Sequence, residues 1–185
     1  MTVVSDGLQP VRRIVTIDDD DGKSVAIADG PPPDVQTDPA RPGFRSERIW
    51  TTASSPARIG EFRDAVLAFP RSLEPPRGGS ACRIVTIPPD AGMKPGAADI
   101  AAYFSAAGSP GASTYAAGAP HPYMQKTPTL DLCLILEGEI TLVLDTGEVH
   151  LGAGDTVVQR GTNHAWSNRS SRPCRIAISS HDAAR

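Results

Sequence analysis

Two groups in this sequence could do chemistry together: a carboxylate and an imidazole. The carboxylate is Asp131, in MQKTPTLDLCLILEG (residues 124–138), and the imidazole is His164, in QRGTNHAWSN (159–168). Ahead of Asp131, Gln125, Thr127 and Thr129 keep the same two-residue beat, so one strand would line four polar groups along one face. A buried carboxylate is costly without a partner, and the row therefore points to a site. If Asp131 and His164 face each other across an apolar interior, they form a general acid–base pair. Proton abstraction beside a carbonyl, dehydration, isomerisation and ring closure need little more. Cys133 follows two residues on along the same face, as a small buried hydrophobe or as pocket wall. Trp166 shares the face of His164 and reads as core or pocket wall.

The elements that must position these groups read as β. Strands are expected over 124–136, 139–144, 148–151, 156–160, 163–168 and 173–180, the first five each ended by a Gly- or Ser-containing turn and the last closing the domain. Short strands at even spacing with such turns specify an antiparallel sandwich or barrel. Upstream, VRRIVTI (11–17) and KSVAIAD (23–29) flank DDDDG as a hairpin with a solvated tip. GPPPDVQTDPARPG (30–43) carries five prolines and reads as a surface arm or linker, not a central strand. RSERIWTT (45–52) and ACRIVTI (81–87) are further strands, and 58–70 reads as a short helix or a strand. AADIAAYFSAA (97–107) is one short helix, and 108–122 is a fifteen-residue loop, long enough to be functional or disordered. The expected division is an N-terminal β arm with a Pro-rich linker over 1–75 and a barrel over 76–185.

Composition narrows the partners. Eighteen basic and 21 acidic residues give a net charge of −3, with no footprint for nucleic acid or an anionic membrane. No apolar run approaches membrane length, and MTVVSDGLQPVRR has no apolar core of a secretory signal. Cys82, Cys133 and Cys174 are odd in number and contain no C-x-x-C pair, against both a disulfide framework and structural zinc. The expected setting is soluble, reducing and cytoplasmic.

The turn GAGD, the order Gly154, Gly161, His164, Asn168 and the spacing of Asp131 to Gly138 resemble the cupin superfamily. The likeness is to small single-domain bacterial cupins with a long N-terminal arm. The second cupin motif, G-x5-P-x-G-x2-H-x3-N, is kept, with Gln159 at the usual proline and one residue fewer before the turn. The first, G-x5-H-x-H-x3,4-E-x6-G, is kept in outline. Asp131 holds its acidic position, while Gln125 and Thr127 stand where its two histidines would be.

The resemblance implies an all-β cupin double-stranded β-helix, a jelly-roll barrel with an N-terminal arm of extra strands and one short helix. It implies a homodimer as well, because such arms commonly pack on a second subunit. Cupins that bind metal hold it with two histidines, an acid and a second-strand histidine, roles that fall here on Gln125, Thr127, Asp131 and His164. What remains is a weak site of Gln125, Asp131 and His164, with His121 as a candidate extra ligand. The cofactor expected is thus none, or a weakly bound divalent Fe, Mn, Ni or Zn. The expected function is an enzyme acting on a small carbonyl-bearing or aromatic metabolite by lyase-, isomerase- or cyclase-like chemistry. Asp131 and His164 would be catalytic, with Gln125, Thr127, Cys133 and Trp166 binding substrate. The alternatives are a metal-dependent cupin oxygenase or lyase, a non-catalytic ligand-binding cupin, and a degenerate structural barrel.

Overall fold

The computed structural model describes residues 8–60 and 64–184. In chain order its elements are β1 (Arg13–Asp18), β2 (Ser24–Gly30), β3 (Asp34–Thr37), β4 (Arg45–Thr52), β5 (Ser80–Ile87) and α1 (Ala97–Ala106). They continue with β6 (Thr129–Glu137), β7 (Glu139–Leu144), β8 (Glu148–Gly152), β9 (Thr156–Arg160), β10 (His164–Ser167) and β11 (Cys174–Asp182). A six-stranded sheet ordered β3-β4-β5-β11-β6-β9 and a three-stranded sheet ordered β10-β7-β8 bury a common core, and β1 and β2 form a separate hairpin. All these pairings are antiparallel, as expected for an all-β jelly-roll barrel.

The core joins the two sheets: Val85, Ile87, Cys133, Ile135, Ile176 and Ile178 from one meet Ile140, Leu142, Leu151 and Trp166 from the other. On β6 this settles which face looks inward. Asp131, Cys133 and Ile135 are buried, whereas Leu130, Leu132, Leu134 and Leu136 are 37–48% exposed, beside Val158 at 60%. The polar beat of the sequence is therefore the inner one, and the leucine beat faces out.

Two expected elements differ. The strand expected over 124–136 begins only at Thr129, because Pro128 offers no amide to a ladder. Gln125, on the far side of that proline, forms isolated bridges with Ser113 and His164 and so belongs to the opposite sheet. The stretch 58–70 contains neither helix nor strand among its described residues. Its described residues 64–70 are tied by side chains instead. Arg48 donates to Phe69 O at 2.9 Å and Pro70 O at 2.8 Å, and Asp64 takes the Val66 amide and the Arg13 guanidinium.

β3 lies within the proline-rich stretch as an edge strand, where missing amide donors are tolerated. Together β3 and β4 extend the barrel sheet beyond β5. The turn from β6 to β7 needs Gly138: its φ is +78°, and a Cβ there would stand 2.7 Å from the Pro173 carbonyl oxygen.

Helix α1 buries Ile100 and Phe104 against Leu73, Ala107, Ala112 and Tyr123. Its Tyr103 stacks edge-on against Phe44 (5.4 Å between centroids) and Tyr123 (5.0 Å). That ring reaches the wall of the barrel cavity. Among the described residues no helix is long and apolar enough to cross a membrane.

Candidate active site

β10 is four residues long, HAWS, and all four are buried. His164 opens it. The imidazole Nδ1 lies 3.0 Å from the Thr162 carbonyl oxygen, so this nitrogen carries the proton and donates, leaving the Nε2 lone pair inward. Two backbone hydrogen bonds (2.8 and 3.0 Å) fix Gln125 beside His164, and the Gln125 amide nitrogen lies 3.3 Å from Nε2. Burial pushes the His164 pKa below its usual 6.5. The Thr162 carbonyl and the Asp131 charge oppose that shift, and the Arg83 charge adds to it. The ring is therefore neutral at pH 7 and can accept a proton.

This carries a pH prediction. The unfolded chain takes up this proton first on acidification, so the folded state loses stability as pH falls from about 6.5 toward the depressed folded value. Below that value the loss levels off. Ring-resolved NMR should place the His164 midpoint below 6.5, and a midpoint at or above 6.5 would contradict the assignment.

Asp131 sits on β6, opposite Gln159 of β9 and Ser180 of β11. It is only 6% exposed, and its Oδ1 has no hydrogen-bond partner among the described residues. The Gln159 amide nitrogen beside it is likewise buried without a partner, although its oxygen accepts from Thr162 Oγ1 at 2.7 Å. An acceptor and a donor thus stand open on neighbouring strands, which is unusual for groups this deep. Cys133, one step further inward, is a packed thiol pushed up to about 12 by burial and by the Asp131 charge, and is no nucleophile at neutral pH.

The barrel encloses a cavity of about 40 Å³, walled by Arg83, Tyr103, Gln125 and Trp166 among others. That space admits about three water molecules. Gln125 and Trp166 therefore line the pocket as expected, and the Trp166 ring meets His164 edge-on at 6.0 Å. Asp131 and His164 are not in its wall. A ligand reaches Nε2 of His164 only if the Gln125 amide turns aside. Two expected binding residues lie elsewhere: Cys133 is in the core, and the Thr127 hydroxyl is tied to that of Thr129 at 2.7 Å.

His121 is also not the extra ligand expected. Its Nδ1 accepts the Tyr123 amide at 3.2 Å, and Nε2 faces Asp90 at 3.4 Å, so both ring nitrogens are occupied. Asp90 gathers Arg41 and Ser167 as well. Burial works against its charge, but His121, Arg41 and Ser167 outweigh that and hold the carboxyl below the usual range. This cluster buttresses the barrel.

The donors left for a metal are then one imidazole nitrogen, one carboxylate and one amide. Among the described residues no three His, Cys, Asp or Glu side chains converge. Such a set does not fit a tight transition-metal site. Because residue 125 is held beside His164, Gln125→His should raise zinc affinity about 100-fold, as read by competition with a chromophoric chelator. An unchanged affinity would mean that the side chain at 125 does not share a site with His164.

Two inward positions escape the sequence pattern or change meaning. Arg83 on β5 points into the barrel, donating to Leu73 O at 3.0 Å and Ser180 Oγ at 3.2 Å. The one signal available was its parity with Val85 and Ile87, which are core residues. Asn168 is fully buried and structural. It donates to Ile87 O and Arg172 O, both at 2.9 Å, and accepts from the Ser170 amide and hydroxyl.

Comparison with known proteins bears on the family. A family model described as "Cupin domain" matches residues 112–180. Phomopsin biosynthesis cluster protein C' of Diaporthe leptostromiformis is 33% identical over 172 residues, covering 88% of this chain and 73% of that protein. The cupin-domain-containing oxidoreductase virC of Hypocrea virens is 27% identical over 124 residues, 65% of this chain and 48% of that protein. A cupin 2 conserved barrel domain protein from Salinispora arenicola is similar in structure, with TM-score 0.41, 13% identity and 76% of each chain covered. The two curated relatives are fungal, whereas the sequence resemblance is to small bacterial proteins.

Proposed function

From the premise that this chain belongs to the cupin family, we propose that it is a small-molecule enzyme working by acid–base chemistry inside its barrel. The observation that carries this is His164, neutral, with Nε2 turned inward and the Asp131 charge felt at the ring. Nε2 removes a proton from the carbon beside a substrate carbonyl and returns it at a neighbouring position. The Asp131 carboxylate stabilises the imidazolium formed in between. Gln125, already bound to Nε2, turns its amide to the substrate carbonyl. Net reactions of this kind are isomerisations, eliminations and ring closures. The kinship with a protein of a phomopsin biosynthesis cluster suits a metabolite-modifying role.

The test is solvent exchange. Incubated in D2O with a panel of ketones, 2-oxo acids and aryl ketones, the protein should catalyse deuterium uptake beside the carbonyl, and His164→Ala should lose it. No uptake with any member would favour a barrel that only binds its ligand.

A second reading is a metal-dependent oxygenase or lyase; one relative is named a cupin-domain-containing oxidoreductase, and that name says nothing of a metal. Near-stoichiometric iron, manganese, nickel or zinc in protein purified without chelator would favour it over the first.

We also place the protein in the cytoplasm as a homodimer. Cys133 and Cys174 are buried free thiols, as a reducing compartment allows. The exposed row Leu130, Leu132, Leu134 and Leu136, continued by Val158, is what a second copy would cover in an isologous sheet-face contact. Light scattering should return twice the 19.4 kDa chain mass, and Leu132→Glu with Leu134→Glu should halve it. A monomeric unaltered protein would remove the dimer from this reading.

A further inference from the structure

The fold gives nearly every arginine it buries a carboxylate. Arg13 pairs with Asp64, Arg41 with Asp90, Arg48 and Arg71 with Asp34, and Arg175 with Glu137. Among the described residues, Arg83 is the one arginine removed wholly or partly from solvent that has no carboxylate oxygen within 4 Å. Its hydrogen-bond partners are a backbone carbonyl, Leu73 O, and a hydroxyl, Ser180 Oγ. A guanidinium has five N–H donors in a rigid fork, and these two contacts leave most of them unused.

The location makes the missing partner informative. Arg83 lies in the wall of the barrel cavity with Gln125 and Trp166. Its charge reaches inward, since it acts on both Cys133 and His164. Holding a cation in a partly dry interior without a counter-ion is unfavourable, and a ligand that supplies the anion recovers that energy. The volume fits a head group: about 40 Å³ has room for a carboxylate.

We propose that the barrel takes a carboxylate-bearing substrate whose carboxylate is anchored by Arg83. This deepens the acid–base reading and rests on it for the reacting carbon. A carboxylate on the Arg83 fork leaves the adjoining carbons at Gln125 and within reach of His164. Small 2-oxo acids and aryl-substituted oxo acids are the substrate class that satisfies both ends. Arg83 acts by binding substrate, and Ser180 and Leu73 O orient its fork.

The experiment uses the unaltered protein first, with NMR titrations of pyruvate, phenylpyruvate and benzoate against pyruvamide and benzamide. The carboxylates should bind about 10- to 100-fold more tightly than the matched amides, the range of a charge-assisted bidentate contact. Arg83→Gln should erase that preference, and Arg83→Lys should keep part of it. Thermal unfolding is recorded for both variants, and the comparison on the unaltered protein stands whatever they do. Equal binding of acids and amides, no saturable binding of any carboxylate, or an unchanged preference in folded Arg83→Gln would each overturn the proposal. The two readings separate cleanly. His164-dependent exchange that proceeds equally on pyruvate and pyruvamide removes the anchor and keeps the acid–base chemistry. A carboxylate preference without exchange on any ketone does the reverse.

Discussion

Replacing Asp131 with asparagine is expected to lower the exchange rate by about 10²- to 10⁴-fold while leaving the protein as stable as before, or slightly more so. Both halves follow from one observation. The Asp131 carboxyl is 6% exposed, and its Oδ1 has no hydrogen-bond partner among the described residues. A group kept for stability would be satisfied, because a buried polar atom left open costs about 1–3 kcal/mol. Asparagine keeps the shape and removes the charge, so the unfavourable burial eases while the field that favours the His164 imidazolium disappears. A purely structural aspartate would give the opposite pair of results. Exchange kinetics and thermal unfolding on the same sample check both halves. Unchanged exchange, or a loss of several degrees in Tm, would each refute the role given to Asp131.

The same residue shows how much of the site was legible in the sequence. Asp131 and His164 stand out because their spacing to Gly138 and Asn168 is set by turns, and turn chemistry is local. The strands β7 and β9 fall at their expected positions for the same reason. The inward polar beat of 129–135 was also legible, since alternation is a property of one strand. What a single strand cannot reveal is which sheet a residue joins. Gln125 and Asp131 share a beat in the sequence, but Pro128 breaks the ladder between them, and the bridge to His164 carries Gln125 to the opposite sheet.

Arg83 failed to stand out for a related reason. In ACRIVTI both faces are mostly apolar, Ala81, Val85 and Ile87 beside Arg83 and Cys82 and Ile84 beside Thr86, so alternation alone gives only a weak sign of whether Arg83 or Cys82 and Ile84 point inward. Only the partner strands decide, with Arg83 opposite Ile178 of β11 and Arg48 of β4. His121 was misread in the other direction. A histidine in a Pro-flanked loop beside a pocket looks free to ligate, and nothing local announces that Asp90, 31 residues upstream, holds it. Segment 58–70 reads as a short helix or a strand, but the Phe69 and Pro70 carbonyls at its end are taken by the Arg48 side chain, a long-range contact that no window of sequence contains.

The last large effect separates fold from chemistry within one motif. Asn168 follows His164 by four residues, yet it touches no pocket and is 0% exposed. Its amide joins Ile87 O, at the end of β5 in the large sheet, to Arg172 O, in the turn that leaves β10 of the small sheet. The side-chain oxygen takes the Ser170 amide and hydroxyl, and the Asn168 carbonyl takes the Asp90 amide at 2.7 Å. Asn168→Ala therefore removes the side-chain donor from the buried Ile87 carbonyl and one of the two donors from the Arg172 carbonyl, which keeps Ser170 Oγ, and it leaves the Ser170 amide, which water can reach only in part, without its acceptor. The expected loss is about 3 kcal/mol, or a Tm lower by about 6–12 °C for a chain of this length. Asn168→Asp should be worse despite its similar shape, because it faces two carbonyl oxygens with acceptors and buries a charge. Folded Asn168→Ala, measured well below its own Tm, should still exchange protons at close to the unaltered rate, because His164 is held by Thr162 and Gln125. A stability loss under about 1 kcal/mol would show that the two sheets do not depend on this tie. A loss of exchange in the folded variant would instead make Asn168 part of the chemistry.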